Sequence, residues 1–188
     1  MAEMTAKRLP EIPETELTPP QREAIDALVN TPRGASAKGG PFLPMLYSPE
    51  LLNRAQHLGE YLRYHGAIPA KLREFAILIT ARHWKARYEW YIHAPIAIKE
   101  GLNQAIVQAL AEDRKPPAMN SEETAIYHFC TQVHRYTQVD DHTYAAAQSL
   151  LGDKGIVDLC GVCGYYSMLA MLMNVAETTL PEGAEVPF

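Results

Sequence analysis

The sequence predicts an all-α protein, a bundle of about seven or eight helices. Apolar residues recur at helical spacing, and capping residues, prolines and glycines separate the apolar stretches. No window shows the alternation of apolar and polar residues that is typical of a strand. The 188 residues, 47% of them hydrophobic, fit one globular domain. We divide the chain into an extended arm (1–17), a single helical domain (18–180) and a C-terminal tail (181–188).

The first helix is marked by its start signals. Thr18 is the expected N-cap, Pro19 is the first helical residue, and Gln21 occupies the third position of a capping box. The helix should end near Asn30, before the next proline.

A glycine-rich stretch, 33–48, follows this helix. It lacks the Lys-Ser/Thr ending of a phosphate-binding loop, so we interpret it as a surface loop. Its apolar part, Phe42–Leu46, should pack on the body of the protein or line a pocket. The second helix then runs from Pro49 to about Tyr64 and ends at Gly66. The apolar stripe expected on it consists of Leu51, Ala55, Leu58 and Leu62.

The same signals place six more helices. They lie at about 69–84, 87–100, 103–112, 120–137, 140–151 and 153–177. Pro95 falls inside the second of these and leaves the Tyr91 carbonyl without its helical donor, so that helix should kink or restart just after His93. The last residues, 179–188, are not expected to be helical.

The composition limits the kinds of partner. A net charge of −5 argues against nucleic acid, because phosphate binding needs a concentrated basic surface. The densest basic group, from Arg73 to Arg87, instead suggests an anionic small molecule or buried ion pairs. The polar N-terminus and three cysteines indicate a cytoplasmic protein with free thiols. The long apolar run Val157–Val175 is interrupted by polar residues and glycines, so we expect a buried helix and no membrane span.

The stretch 74–93 contains the main candidates for chemistry. Glu89 and His93 are four residues apart and share one face of a helix. A carboxylate beside an imidazole suits general acid–base catalysis near neutral pH. Glu74, on an otherwise apolar helix, is a further candidate. The structural alternative is that Glu74 forms a buried ion pair with Arg82 or Arg87.

Cys160 and Cys163 form a Cys-x-x-Cys motif within an apolar helix. Because no histidine or lysine lies within one turn, we interpret both as small buried thiols without a redox role. Zinc would need two more suitable ligands, and Glu89 with His93 offers only two, so no metal is expected.

The order and spacing of these residues resemble the carboxymuconolactone decarboxylase and alkylhydroperoxidase D superfamily. Its redox branch has a glutamate, eleven residues, Cys-x-x-Cys, three residues and a histidine. Counted from Glu74, the cysteine positions fall on Ala86 and Glu89 and the histidine on His93. The decarboxylase branch has Glu-x-x-x-His, which Glu89 and His93 match. The stretches 39–64 and 164–177 also resemble cysteine-less members.

The resemblance implies an alkylhydroperoxidase D-like fold and a cofactor-free acid–base enzyme that acts on a small carboxylated lactone or ring. On this interpretation His93 donates a proton and is oriented by Glu89, and Glu74 is a second carboxyl with a raised pKa. Arg87 would hold the substrate carboxylate. The remaining residues expected to contact the substrate are Tyr88, Trp84 and Tyr165. The alternatives are a peroxiredoxin-like thiol antioxidant, which needs a reactive cysteine pair, and a non-catalytic oligomeric binding protein.

The family also assembles into trimers or hexamers with active sites near subunit contacts. The apolar run Val157–Val175 agrees with this, since a small bundle rarely buries a helix that is apolar all round. Gly161 and Gly164 would allow a second backbone to approach. Phe42–Leu46 and the tail 186–188 add apolar groups without an obvious place in the monomer. We therefore expect a homo-oligomer with an interface above about 1,000 Å² and the His93 pocket at or near it.

Overall fold

The computed structural model describes residues 8–32 and 39–188, and all regular structure within them is helical. The α-helices are α1 (Pro19–Val29), α2 (Phe42–Met45), α3 (Pro49–Glu60), α4 (Ala70–Trp84), α5 (Arg87–Lys99), α6 (Gln104–Ala111), α7 (Ser121–Tyr136) and α8 (Asp141–Ala176). A 3₁₀ turn (Glu14–Glu16) precedes α1, and a π-helix (Tyr61–His65) extends α3. The predicted all-α fold class is confirmed.

The predicted start of α1 is confirmed in detail. The Thr18 side chain accepts a bond from the backbone of Gln21, and the Gln21 side chain accepts from the Thr18 backbone N–H at 2.9 Å. The Gln21 amide also donates to the Leu46 carbonyl at 2.9 Å. This last bond attaches the start of α1 to the end of α2, beside the described part of the glycine-rich connection.

Helix α4 lies at the centre of the fold and contacts α5, α6, α7 and α8. Its residues from Glu74 to Ala81 are all buried. A helix that is apolar on every side must be surrounded by others, and here four helices surround it. The helix ends at Lys85, whose φ of 51° is left-handed. The side chains of α4 from Glu74 to Ala81, polar ones included, therefore lie in the interior of the protein.

The apolar stripe predicted for α3 is wrong at two positions. Leu51 and Leu58 are each 46% exposed. The buried face of α3 consists of Leu52, Ala55, Gln56 and Gly59. Leu62 is buried as predicted and continues this face, because Leu52, Ala55, Gly59 and Leu62 recur every three or four residues. The observed face includes a glutamine and a glycine, so a stripe chosen from leucine and alanine alone is rotated away from it.

Helix α5 runs without a break from Arg87 to Lys99, so the predicted restart after His93 is wrong. Pro95 lies within it and removes one backbone donor. Pro95 and Tyr91 are both exposed, which places the unpaired Tyr91 carbonyl on the solvent side of the helix. Water can donate to that carbonyl, so the helix continues.

Helix α8 contains the break that the sequence predicts. Gly152 has φ 66° and ψ 177°, a conformation outside the helical region, and helix continues on both sides. Within the described part of the chain, α8 is the one helix long and apolar enough to span a membrane, and 56% of its most apolar window is buried. It packs on α4 and α7, as expected of a buried helix.

The C-terminal tail and the described part of the N-terminal arm contact the core within the monomer. The Phe188 ring packs edge-on against Trp90, with centroids 5.1 Å apart, and the Arg82 guanidinium lies 4.8 Å from its centre. The tail therefore has a place in the monomer, contrary to expectation, although it is not helical, as predicted. Ile12 and Leu17 of the arm also pack on the core. Residues 1–7 of the arm lie outside the described residues, and the division into arm, domain and tail remains a prediction.

Asp158 of α8 joins that helix to the segment between α3 and α4. Its carboxylate accepts hydrogen bonds from the Ala67 backbone N–H at 2.7 Å, from the Tyr61 hydroxyl at 2.9 Å and from Lys154 at 2.9 Å. Burial would raise the pKa of Asp158, but these donors lower it below the ordinary value of 3.8. The ionised carboxylate is therefore the form that stabilises the fold.

We expect Asp158→Ala to lower the free energy of unfolding by about 1–3 kcal/mol near neutral pH, because the Ala67 N–H and the Tyr61 hydroxyl lose their acceptor. Since the folded pKa is depressed, the stabilisation is present above the ordinary value of 3.8 and is lost as the pH falls through the folded pKa. Urea denaturation at pH 7 and pH 3 measures both effects. Asp26→Ala, an exposed position on α1, is the control and should change stability little at either pH.

Candidate active site

A buried carboxylate and a buried imidazole meet between α4 and α5. Glu74 Oε2 lies 2.6 Å from His93 Nδ1, and both side chains are buried. Because Nδ1 faces a carboxylate, it carries the hydrogen, and Nε2 is the nitrogen left for a ligand. Arg73 Nη2 lies 3.5 Å from the other Glu74 oxygen. Glu74 therefore fixes the orientation and the tautomer of the His93 ring.

This pairing differs from the predicted one. The sequence predicts that Glu89, one turn before His93, orients the ring, whereas the structure assigns that contact to Glu74. The predicted raised pKa of Glu74 is also wrong. Burial pushes the pKa of Glu74 upward, but the hydrogen bond and charge of His93, with the charges of Arg63 and Arg73, lower it below the ordinary value of 4.5.

Glu89 lies on the same helix face as His93 and is 3% exposed. Neither carboxylate oxygen has a hydrogen-bond partner among the described residues. Burial raises the pKa of Glu89 well above its ordinary value, since no donor or cation stabilises the charged form. The protonated acid is thus the favoured form of Glu89, and it can donate a hydrogen bond to a ligand.

Glu89 and His93 both line a cavity of about 360 Å³, within the size range of small-molecule sites. The other lining residues are Gly39, Pro41, Phe42, Arg63, Tyr88, Ile92, Ile96, Tyr165, Tyr166 and Leu169. Tyr166 meets the His93 ring edge-on, with centroids 5.1 Å apart. Burial raises the pKa of Tyr166 well above its ordinary value, so its hydroxyl remains protonated. The cavity has an apolar wall and a small polar group around His93.

Arg63 is the residue that sequence reasoning missed. It lies in the π-helix, lines the cavity and is half-buried, and its charge acts on both Glu74 and Tyr166. Its buried Nε has no hydrogen-bond partner among the described residues. π-Helical turns are rare and occur often at functional sites, because the wide turn redirects side chains. No sequence pattern predicts that turn, so Arg63 could not have been identified from spacing alone.

Gly39 lines the cavity beside Tyr88, and Gly40 follows it against the same ring. A Cβ on Gly40 would lie 2.3 Å from Tyr88 Cε1, and one on Gly39 would lie 2.7 Å from the Tyr88 hydroxyl. Gly40 also has a φ of +58°, which favours glycine. The glycines thus allow the ring to lie against the backbone, and Phe42 lines the cavity as expected. The preceding loop residues, 33–38, lie outside the described residues.

Two predicted substrate-binding residues lie elsewhere. Arg87 is exposed at the start of α5, and Trp84 donates to the Ser167 hydroxyl at 2.9 Å. Both line a separate surface depression, and neither lines the His93 cavity. The predicted ion pair of Glu74 with Arg82 or Arg87 is also not formed, because Arg82 points to the Ala111 carbonyl. Tyr88 and Tyr165 do line the cavity.

The close thiol pair is Cys130 with Cys163, with the sulfurs 3.7 Å apart. Cys160 is exposed, so the prediction of a buried thiol is wrong for it and correct for Cys163. The hydrogen bond with Cys130, opposed by burial and assisted by His134 and Thr80, lowers the pKa of Cys163 to about 6. His134 comes from α7, which a search along one helix could not reveal. Within the described residues no group of three or more potential metal ligands is found.

No family model matches this sequence, and no curated protein matches it. Comparison with solved structures finds the debrominase Bmp8 in its apo form, with a TM-score of 0.67 at 13% identity over 95% of this chain and 93% of Bmp8. A cysteine-to-alanine variant of Bmp8 in complex with 2,3,4-tribromopyrrole matches equally, with 92% of that chain covered. At this identity the similarity shows the fold alone. It confirms the alkylhydroperoxidase D-like architecture.

We expect Glu89→Gln to change how stability depends on pH. A folded pKa raised above 4.5 means that the folded state holds a proton that the unfolded state releases. Wild-type stability should therefore fall by up to about 1.4 kcal/mol per pH unit as the pH rises from 4.5 to the folded pKa.

The glutamine variant lacks this loss, so its stability relative to the wild type should increase with pH. Urea denaturation from pH 5 to pH 9 measures the difference, with the exposed Glu23→Gln as the control. Parallel curves for wild type and Glu89→Gln would show that Glu89 is already ionised in the folded protein.

Proposed function

We propose that this protein is an acid–base enzyme that acts on a small, negatively charged ring compound bound in the His93 cavity. The observation that carries the proposal is the pair of buried carboxyls with opposite pKa shifts beside one imidazole. Environments that separate the pKa values of neighbouring groups are typical of sites that need both an acid and a base.

Each group has a chemical role in this proposal. His93 Nε2 takes or returns a proton, and Glu74 stabilises the imidazolium that forms when it takes one. Glu89, kept neutral by burial, donates a hydrogen bond to an oxygen on which negative charge develops. Arg63 attracts the negative group of the substrate into the cavity.

The reaction that fits these roles best is cofactor-free decarboxylation of a carboxylated lactone or related ring. The carboxylate leaves as CO₂, and its bonding electrons move through the conjugated system to the ring carbonyl oxygen. Glu89 and Arg63 stabilise the resulting dienolate. Protonated His93 then gives its Nε2 proton to the ring carbon, which completes the exchange of CO₂ for hydrogen and leaves a neutral imidazole. A proton from solvent restores the imidazolium before the next turnover.

A purely structural role explains less of the site. A brace between α4 and α5 accounts for the contact of Glu74 with His93. It does not account for Glu89, whose burial without a partner costs stability and contributes nothing to a brace. Groups that reduce stability in this way are more common where a ligand completes them.

A thiol-dependent reaction in the same cavity has less support. The positions that match the cysteines of the redox branch are Ala86 and Glu89, and no described residue that lines the cavity is a cysteine. The debrominase Bmp8 was crystallised with a tribromopyrrole. This supports a small ring as the ligand class for the present cavity, without supporting the same chemistry.

We expect His93→Gln to lower kcat by about 10²–10⁴-fold, because it removes the proton-transfer group. Arg63→Gln should raise KM by about tenfold or more, since the substrate loses a charge-assisted bond. Arg87→Gln is the matched control and should leave both parameters unchanged. A thermal-shift screen of carboxylated lactones and aromatic acids identifies the substrate, and CO₂ release measures turnover.

One combination of results would contradict the proposal. If His93→Ala lowers stability by about 1–3 kcal/mol and no compound in the screen protects the wild-type protein, the pair only braces the helices. The protein would then be a structural or binding module.

We also propose that the protein is cytoplasmic and forms a homo-oligomer, a trimer or hexamer, through α8. The exposed residues that follow one face of α8 are Val157, Cys160, Gly164, Met171 and Val175. Val157 is 69% exposed and Val175 is 60% exposed, which is unusual for a face of this length. A second copy of the same chain would cover it. Gly161 is not part of this face, because a Cβ there would lie 3.1 Å from Leu62 of the same chain.

We expect the double substitution Val157→Glu and Val175→Glu to dissociate the oligomer, because it places unpaired charges in an apolar contact. Light scattering after size exclusion measures the mass at micromolar concentration. Ile98→Glu, at an apolar position of α5 that is 44% exposed, is the control and should retain the wild-type mass. A wild-type protein that is already monomeric would contradict the assembly proposal.

A further inference from the structure

A second cavity lies where α4, α6 and α7 end, and it shares no lining residue with the His93 cavity. Its volume is about 320 Å³. The lining residues that carry or can carry charge are Arg82, His83, Lys85, Asp113, Arg114, His134 and Arg135. Four permanent cations thus face one carboxylate in a chain whose net charge is −5. A solvated protein surface usually mixes positive and negative side chains. The excess of cations around this cavity therefore calls for a physical explanation.

The acidic groups nearby do not balance the cations. Asp113 accepts a bond from Arg135 at 3.2 Å and lies 4.0 Å from Arg82. Arg114 pairs with Glu112, which lies just outside the cavity. The side-chain ammonium of Lys85 has no hydrogen bond or ion pair among the described residues, although its backbone N–H bonds to the end of α4. Two carboxylates therefore serve four cations, and the cavity retains a positive potential.

Two imidazoles add hydrogen-bonding groups to the same space. The rings of His83 and His134 are stacked, with centroids 4.9 Å apart and planes inclined by 20°. His134 Nε2 lies 2.9 Å from the Thr80 hydroxyl, which fixes the ring. Burial, then the charges of His134 and Arg135, lower the pKa of His83 despite the opposing Asp113. After burial, the positive charge of its neighbours is thus the next cause of the lowered pKa of His83. A bound anion would reduce that contribution.

We propose that this second cavity binds a small molecule with at least two negative oxygen groups, phosphoryl or carboxylate. The cations supply the charge complement, as guanidinium groups commonly do for both kinds of anion. Ile79, Leu110 and Tyr127 also line the cavity and offer an apolar surface to the rest of the molecule. The cavity size fits a small molecule and not a macromolecule. This site is separate from the proposed acid–base site and does not depend on it.

The alternative is that the cations only offset the negative ends of helices. Arg82 and His83 lie in the last turn of α4, and His134 and Arg135 lie in the last turn of α7, where positive charge stabilises a helix. Lys85 is the C-cap of α4 and fits this alternative as well, whereas Arg114 lies two residues beyond the C-cap of α6. The alternative also does not explain why these cations line one common cavity. An anion-binding site predicts that an added polyvalent anion binds saturably in the cavity. Cations that only offset the helix ends predict no such binding.

Titration calorimetry with pyrophosphate and with citrate tests the site, in a buffer without polyvalent anions. We expect saturable binding of at least one, and their ranking distinguishes phosphoryl from carboxylate ligands. Lys85→Gln and Arg135→Gln should each weaken binding by about tenfold, the effect of one lost charge-assisted bond. Arg54→Gln, an exposed residue of α3 paired with Glu50, is the matched control and should bind as the wild type does.

Histidine NMR spectra locate the anion. The ring signals of His83 and His134 should shift on titration, while those of His93 should not. No saturable binding, or an equal loss in Arg54→Gln, would overturn the proposal. A shift confined to His93 would place the anion in the other cavity and would also overturn it. Loss of kcat in His93→Gln leaves this result unaffected, so the two proposals can fail separately.

Discussion

Glu74 is fully buried in the middle of the helix that contacts four others, and its carboxylate must be compensated there. A buried carboxylate without donors costs several kcal/mol, about as much as a small domain can tolerate. His93 supplies a hydrogen bond at 2.6 Å, and Arg63 and Arg73 supply positive charge. Because these groups come from α5, the π-helix and α4, the compensation of one charge fixes the relative positions of three segments. The cavity is formed at the place where they meet.

The same arrangement separates two chemically identical side chains. Glu74 has donors and cations around it, and its pKa is lowered. Glu89, four residues from His93 along α5, has no such partner among the described residues, and its pKa is raised. Exchange of their surroundings would exchange their properties, since desolvation acts on both and only the partners differ. The fold therefore favours the ionised form of one carboxyl and the protonated form of the other without any difference in covalent chemistry.

Local sequence signals were enough for most of the fold and for part of the site. Caps, prolines and the Gly152 break are local features, and they placed the helices close to their observed bounds. The buried face of α3 includes Gln56 and Gly59, which hydrophobicity alone does not select. The position of Arg63 depends on a π-helical turn that no local signal marks. Which carboxyl touches His93 depends on how α4 packs against α5. Spacing along one helix favoured Glu89, and the contact between helices selected Glu74.

The position of Glu89 connects the site to the chemistry of related folds. In the resemblance drawn from the sequence, this position matches a cysteine that is followed four residues later by the histidine. A thiol there can serve as a nucleophile because imidazole lowers its pKa. A carboxyl at the same point of the helix meets the same apolar surroundings, but burial favours its protonated form. In that resemblance the other cysteine position is occupied by Ala86, so both thiols are absent and the carboxyl at Glu89 is the polar group that remains there. The Glu74–His93 contact remains useful in both cases, because orienting an imidazole supports thiol activation and proton transfer alike.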